Sequence, residues 1–161
     1  METRKDPEVL SKKMVPLRIM AMEDLNKAVA YVRNHAADFK IDANKIGIVG
    51  FSAGGVMAAN IAYNFSPYAR PDFVAPIYCV IYDIDNHIVK TDAPPLFIAA
   101  ATDDPLAPVS NSIDLYTDWV KANKPAELHL YAKGGHGLRS LPASSWKDRF
   151  VEWLHTLDFL K

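Results

Sequence analysis

Residues 45–55, Lys-Ile-Gly-Ile-Val-Gly-Phe-Ser-Ala-Gly-Gly, constrain this chain more than any other stretch. Ile46, Ile48 and Val49 give residues 45–50 the β-branched, apolar character of a short buried strand. The small residues from Ser52 onward open a helix that can pack close against a sheet. The chain must reverse between the two within a few residues. Ser52, in the G-x-S-x-G turn from Gly50 to Gly54, is therefore expected in a strained backbone conformation with its hydroxyl exposed. Side chains flanking it would clash, which favours glycine there. The helix that starts at this turn directs free amide N–H groups and the positive end of its dipole at the serine. The plainer alternative is a Ser/Gly turn with at most a phosphate-binding role.

The same alternation of short apolar runs and amphipathic segments continues along the chain, which predicts a parallel α/β sheet. Met22, Leu25, Val29, Val32, Ala36 and Phe39 recur at spacings of three and four, so residues 21–39 are predicted as a helix with one apolar face. Residues 72–82 are expected to hold a second strand, with further strands at 95–102 and 126–132. A helix over 111–122 is expected to be capped by Asn111, with Asp114 in its first turn, and a last helix by Ser145. In that last helix Trp146, Phe150, Trp153, Leu154 and Leu157 form the apolar face. The fold class is thus α/β, a mostly parallel sheet of about four strands flanked by helices. The 161 residues suit a single domain, with residues 1–20 as an N-terminal arm. Residues that follow the C-terminal ends of the strands gather along one edge of such a sheet, where α/β proteins place their chemistry.

Two more groups arrive at that edge. Asp103 and Asp104 follow the strand at 95–102, and either could accept a hydrogen bond from an imidazole and hold it in one tautomer. Asp is also a common turn former before proline, a role that suits Asp103. His136 follows the strand at 126–132 in Lys-Gly-Gly-His-Gly, a loop whose glycines let the backbone carry the ring over the serine. The order Ser52, Asp104, His136 along the chain is the one such a sheet requires for nucleophile, acid and base. His35, His87, His129 and His155 show no zinc-binding spacing, and Cys79 is the sole cysteine, so neither a metal site nor a cofactor is expected. Cys79 lies in an apolar run and reads as a small buried hydrophobe.

Charge narrows the partners. The net charge is −1, and Lys and Arg are scattered, so nothing concentrates the positive field that nucleic acid or an anionic membrane needs. The charged N-terminus does not read as a signal peptide, and no apolar run approaches the roughly 20 residues of a bilayer span. A cytoplasmic location is expected.

With these residues in view, the chain resembles the α/β-hydrolase esterases, and within them the acetyl-xylan-esterase-like and prolyl-oligopeptidase-like small esterases. The matching stretches are IDANKIGIVGFSAGG, PPLFIAAATDDPLAPVSNS and AELHLYAKGGHG, within a similarity that runs from about residue 21 to 140. The family's D-x-x-V-P pattern places its acid four residues before the proline. Mapped onto Asp104-Pro105-Leu106-Ala107-Pro108, this favours Asp104, with Ala107 in the place of the valine. The resemblance implies a serine esterase acting on short acyl esters, acetyl to butyryl, of aryl or carbohydrate alcohols. Ser52 would be the nucleophile, His136 the base, Asp104 the acid and the Ala53 amide an oxyanion donor. The rival reading is a non-catalytic relative that binds a ligand or partner. Members of the fold usually carry further strands, and a second oxyanion donor, ahead of the matching segment. The strand at 45–50 is therefore expected to have an unpaired edge, to be covered by residues 7–20 or by a second subunit in a homo-oligomer. The short connection at 83–94 leaves little room for a lid, so an open, shallow site is expected.

Overall fold

The computed structural model describes residues 7–81, 84, 86–142 and 144–160, with side chains from residue 15 onward. The chain runs α1 (Pro7–Asn34), α2 (Ala36–Phe39), β1 (Gly47–Phe51), α3 (Ala53–Asn64), a 3-10 turn (Pro67–Ala69), β2 (Phe73–Ile77), β3 (Leu96–Ala101), α4 (Ser110–Lys121), β4 (Ala126–Tyr131) and α5 (Ser144–Thr156). The four strands form one parallel sheet in the order β1-β2-β3-β4. This is the α/β sheet expected. Among the described residues no helix is long and apolar enough to cross a membrane.

Side-chain alternation along the strands sorts the helices into two layers. Val74, Leu96 and Ile98 face α3 and α4, where Ala58, Ala59, Ala62, Tyr63, Leu115 and Trp119 complete a dry core. Ala75, Ile77, Phe97, Ala99 and Ala101 point the other way, onto Trp153 and Leu154 of α5. The alanines of α3 and β3 let helix and sheet approach closely. A third cluster fastens α1 to the body, Val29 packing with Ile46, Ile61, Phe65 and Ala69.

The structure departs from expectation at several element ends. The helix expected over 21–39 starts at Pro7 and breaks at His35, so the described part of the arm continues α1. Beyond the break Phe39 swings outward to 50% exposure instead of joining the apolar face. The chain is turned there by Lys40, whose φ of 56° closes α2. Asn111 does not cap α4. It lies inside the first turn, buried, where its side-chain oxygen accepts the Ile81 amide and its amide donates to the Pro108 carbonyl. Ser145 is the second residue of α5, not its cap.

The stretch 72–82 holds β2, which ends at Ile77; residue 82 lies outside the described residues. Pro76 has no amide to give to β3, and the β2–β3 pairing is recorded only at Val74 and Ile77. Tyr78 then takes a φ of 39° and leaves the sheet.

β1 stands at the end of the sheet, paired only with β2. α1 reaches it from one face, through Ile46 and Ile48. The other face of β1 is partly bare, with Val49 40% and Phe51 44% exposed.

Candidate active site

The turn after β1 is as tight as the sequence requires. Ser52 has φ 52° and ψ −118°, a conformation that costs a non-glycine residue on the order of 1–3 kcal/mol. Its amide donates to the Ile77 carbonyl, which ties the elbow to the end of β2, and its carbonyl accepts the Val56 amide in the first turn of α3. Ala53 is the first residue of α3, where an amide has no partner inside the helix and is free for a ligand.

The glycines divide differently from the expectation. A Cβ on Gly50 would lie 2.1 Å from the Gly54 carbonyl oxygen, and one on Gly55 would lie 2.8 Å from Cys79 Cβ and 2.9 Å from the Ile77 oxygen. A Cβ on Gly54 meets nothing within 4 Å. The crowding falls on Gly50 and Gly55, because the backbone of α3 passes over the former and the end of β2 presses on the latter. Gly50→Ala is therefore expected to destabilise the fold by about 1–3 kcal/mol, since backbone must move to admit the methyl. Gly54→Ala, in an open helical position, should be neutral or stabilising by up to about 1 kcal/mol. Denaturant midpoints of the two variants check this pair.

Three side chains meet above the elbow. Ser52 Oγ lies 2.8 Å from His136 Nε2, and His136 Nδ1 lies 2.9 Å from Asp104 Oδ2 and 3.1 Å from Oδ1. These partners fit a neutral imidazole whose Nδ1–H donates to the carboxylate while Nε2 accepts the serine hydroxyl. The three come from the ends of β1, β3 and β4, so the parallel register of the sheet brings together residues 84 and 32 positions apart in the chain.

Asp104 is built to stay ionised. Its side chain is fully shielded from solvent, and that burial pushes its carboxyl up. The amides of Ala107 and Leu106, which donate to Oδ1 at 3.0 and 2.8 Å, and then the hydrogen bond from His136 and its charge when the ring is protonated, outweigh the burial and leave the pKa below the ordinary aspartate value. Ala107, buried where the family pattern has valine, holds one of these amides in place. Asp103 faces elsewhere. Its Oδ1 accepts the Gly135 amide at 2.8 Å, so it pins the loop that carries His136. Gly135 and Gly137 have φ values of 58° and 92°, which lets that loop fold back over the sheet edge.

An aromatic strip that the motifs do not announce borders the three groups. Tyr78 packs edge-to-face against the His136 ring, with centroids 5.2 Å apart. Phe51 lies 5.9 Å from Tyr78 and 5.6 Å from Trp146. The one signal of it in the sequence is Pro76, which argues against a strand running on through Tyr78.

Two grooves lie elsewhere. One of about 510 Å³ separates α1 from the end of α3, and one of about 310 Å³ is lined by His87, Asn111 and Asp118. Neither is lined by Ser52 or His136. The His136 side chain is 24% exposed, so Ser52 and His136 reach the surface while Asp104 stays buried beneath them. His35, His87 and His129 are engaged apart from these groups, on the Tyr31 carbonyl, the Ile81 carbonyl and Glu127. Among the described residues no three His, Cys, Asp or Glu side chains gather as a metal site. Cys79 is buried, and burial pushes its thiol up to about 12.

The chain is similar to known esterases over most of its length. The BD-FAE family profile matches residues 13–67. An acetylxylan esterase from Xylanibacter ruminicola is 30% identical over 175 residues, an alignment covering 87% of this chain and 36% of that protein. The acetyl ester-xyloside bifunctional hydrolase from Caldicellulosiruptor lactoaceticus superimposes with a TM-score of 0.78 at 26% identity, over 87% of this chain and 66% of the other. A carboxylesterase candidate from Lactobacillus plantarum gives a TM-score of 0.71 at 30% identity, over 84% of this chain and 68% of the other. The chain spans about a quarter to a third of the curated relatives it matches and about two-thirds of these solved structures. Since that identity extends over more than two-thirds of the Lactobacillus protein and the sheet is shared with the Caldicellulosiruptor hydrolase, the chain belongs to the α/β-hydrolase esterases.

Proposed function

We propose that this protein hydrolyses short acyl esters through a Ser52–His136–Asp104 triad. The observation that carries the proposal is the unbroken hydrogen-bonded path from Ser52 Oγ through both ring nitrogens to the Asp104 carboxylate, set on a strained strand-to-helix turn. His136 Nε2 takes the hydroxyl proton as Oγ bonds to the ester carbonyl carbon. The carbonyl electron pair becomes an oxyanion that the Ala53 amide meets, and Asp104 stabilises the imidazolium. As the intermediate collapses, His136 returns the proton to the departing alcohol. Water, deprotonated by the same ring, then releases the acid.

Ala53 is the single oxyanion donor assigned among the described residues. Losing one donor of a pair typically costs on the order of 3 kcal/mol, so turnover by these residues alone is expected to be slow. The names of the relatives that this chain resembles, an acetylxylan esterase and an acetyl ester-xyloside hydrolase, favour acetyl groups on carbohydrate alcohols as substrates. The open position of Ser52 and His136 favours small acyl groups on a further ground. A buried methylene gains about 0.8 kcal/mol only where a pocket encloses it, and this surface offers a long chain little enclosure.

The test is a series of p-nitrophenyl esters. Acetate and butyrate are expected to be turned over faster than laurate, with a fluorophosphonate probe labelling the wild type and not Ser52→Ala. A clear preference for acyl chains of twelve carbons would overturn the short-chain assignment. A wild type that neither labels nor turns over would favour the rival, a binding protein on a hydrolase scaffold.

A further inference from the structure

We propose that Tyr78 is a positioning residue for His136, and that its work falls mainly in the second half of the reaction, on the acyl-enzyme. The inference rests on the hydrolase reading above. Tyr78 follows β2 directly, and its φ of 39° lies in the left-handed region that glycine occupies without strain. A bulky aromatic side chain at such a position is unusual, and strained residues of this kind cluster where a side chain is needed in one place. The strain is held from both directions. The Tyr78 amide donates to the Ala99 carbonyl at 2.8 Å, and the preceding Ile77 carbonyl accepts the Ser52 amide at 3.1 Å. A single peptide unit, Ile77–Tyr78, thus ties the nucleophile's turn through its carbonyl and the tyrosine's backbone through its amide.

The ring is placed against the base. Its centroid is 5.2 Å from that of the His136 imidazole with the planes at 75°, and Phe51 supports it 5.9 Å away. In the resting enzyme the imidazole has three restraints: Asp104 on Nδ1, Ser52 on Nε2 and Tyr78 against the ring. Acylation removes one of them, because an acylated Oγ has no proton to give. The imidazole is then held by Asp104 and Tyr78. In that state Nε2 must take a proton from water while the water oxygen bonds to the acyl carbon. It must then return the proton to Oγ as the acyl–oxygen bond breaks. Deacylation is therefore the step most exposed to loss of the aromatic contact.

This assigns a kinetic signature that a merely structural tyrosine would not produce. In Tyr78→Ala, slowed deacylation is expected to lower kcat by about tenfold, the scale of effect a modest misplacement of a catalytic group has. KM should fall with it, so that kcat/KM changes little, and p-nitrophenol should appear in a stoichiometric burst before the steady state. Tyr78→Phe, which keeps the ring, should restore kcat to within about threefold of wild type, since the contact is aromatic rather than through the hydroxyl. Tyr78→Gly should show the kinetics of the alanine variant yet melt at or above it, because glycine accepts the positive φ.

The decisive experiment is stopped-flow turnover of p-nitrophenyl acetate by wild type and the three variants, with fluorophosphonate labelling of Ser52 in each. A burst and a lowered KM in Tyr78→Ala and Tyr78→Gly, with neither in Tyr78→Phe, support the assignment. A lowered kcat at unchanged KM without a burst would overturn it, as would an alanine variant indistinguishable from wild type, while leaving the esterase reading intact. A wild type that neither labels nor turns over removes both.

Discussion

Replacing Ser52 with alanine is expected to lower p-nitrophenyl acetate hydrolysis by about 10⁴- to 10⁶-fold, close to the uncatalysed rate, and His136→Ala by a similar factor. In the proposed mechanism the two side chains act as a unit. The serine hydroxyl is a poor nucleophile until Nε2, 2.8 Å away, removes its proton, and the imidazole has no covalent route without the serine. The double variant should therefore be no worse than either single one, which sharply separates this reading from two independent contributions. Neither substitution should harm folding. Alanine at position 52 keeps the elbow's contacts, since the Ile77 and Val56 hydrogen bonds are made by backbone. Measured kcat/KM for the two single variants and the double variant, with melting temperatures alongside, checks the prediction. A Ser52→Ala protein within tenfold of wild type would exclude a serine mechanism.

Asp104→Asn should cost about 10³- to 10⁴-fold in kcat, because the amide can present its N–H to Nδ1 and drive the imidazole into the tautomer that cannot accept the serine proton. Asp103→Asn should cost much less, since its role is to hold the Gly135 amide and the asparagine oxygen can still accept it. The contrast tests the assignment of two adjacent carboxylates to different roles, Asp103 on the loop and Asp104 on the imidazole. Stability carries a second signature of the same residue. The Asp104 pKa in the folded protein lies below its unfolded value, because hydrogen bonds and His136 outweigh burial. A depressed carboxylate stabilises the fold above the unfolded pKa, near 4, and that contribution fades as the pH falls through the folded value. The wild type should therefore exceed Asp104→Asn in stability by most above about pH 5, with the gap closing in stronger acid. Urea unfolding of both proteins across pH 3–7 tests the sign; a gap that widens in acid would contradict an electrostatic origin.

The positions of Ser52, Asp104 and His136 at one sheet edge were readable because each comes after a strand that the residue pattern marks, apolar runs before Ser52 and Asp104 and the alternating Ala126–Tyr131 before His136. Runs such as Phe97–Ala101 bury completely, so the sequence reports them plainly, and a parallel sheet then places everything after a strand at one edge. That is a matter of local composition and topology, and it needs no knowledge of packing. Which glycines are obligatory was not readable, because Gly50 and Gly54 look equivalent in a motif. They differ only in whether the backbone of α3 or open solvent lies over them. The sequence assigned Asp103 to the turn and Asp104 to the imidazole, but the partner that Asp103 holds came only with the tertiary structure. Neighbours in the chain point to opposite sides of a turn, one to the Gly135 amide and the other to the imidazole.

Asn111 shows the same limit from another direction. Its spacing fits a helix cap, yet the more valuable partner is the buried Ile81 amide thirty residues away, which no local rule contains. The end of β2 follows suit. Apolar composition carries on past residue 77, but Pro76 and the rotation at Tyr78 stop the strand and aim the tyrosine at His136. Local sequence thus set the elements, their order and the three polar groups at the sheet edge, because these depend on periodicity and chain direction. Distances, crowding and the aromatic support of the imidazole were decided by tertiary packing, because they arise between segments whose separation along the chain carries no record of their contact.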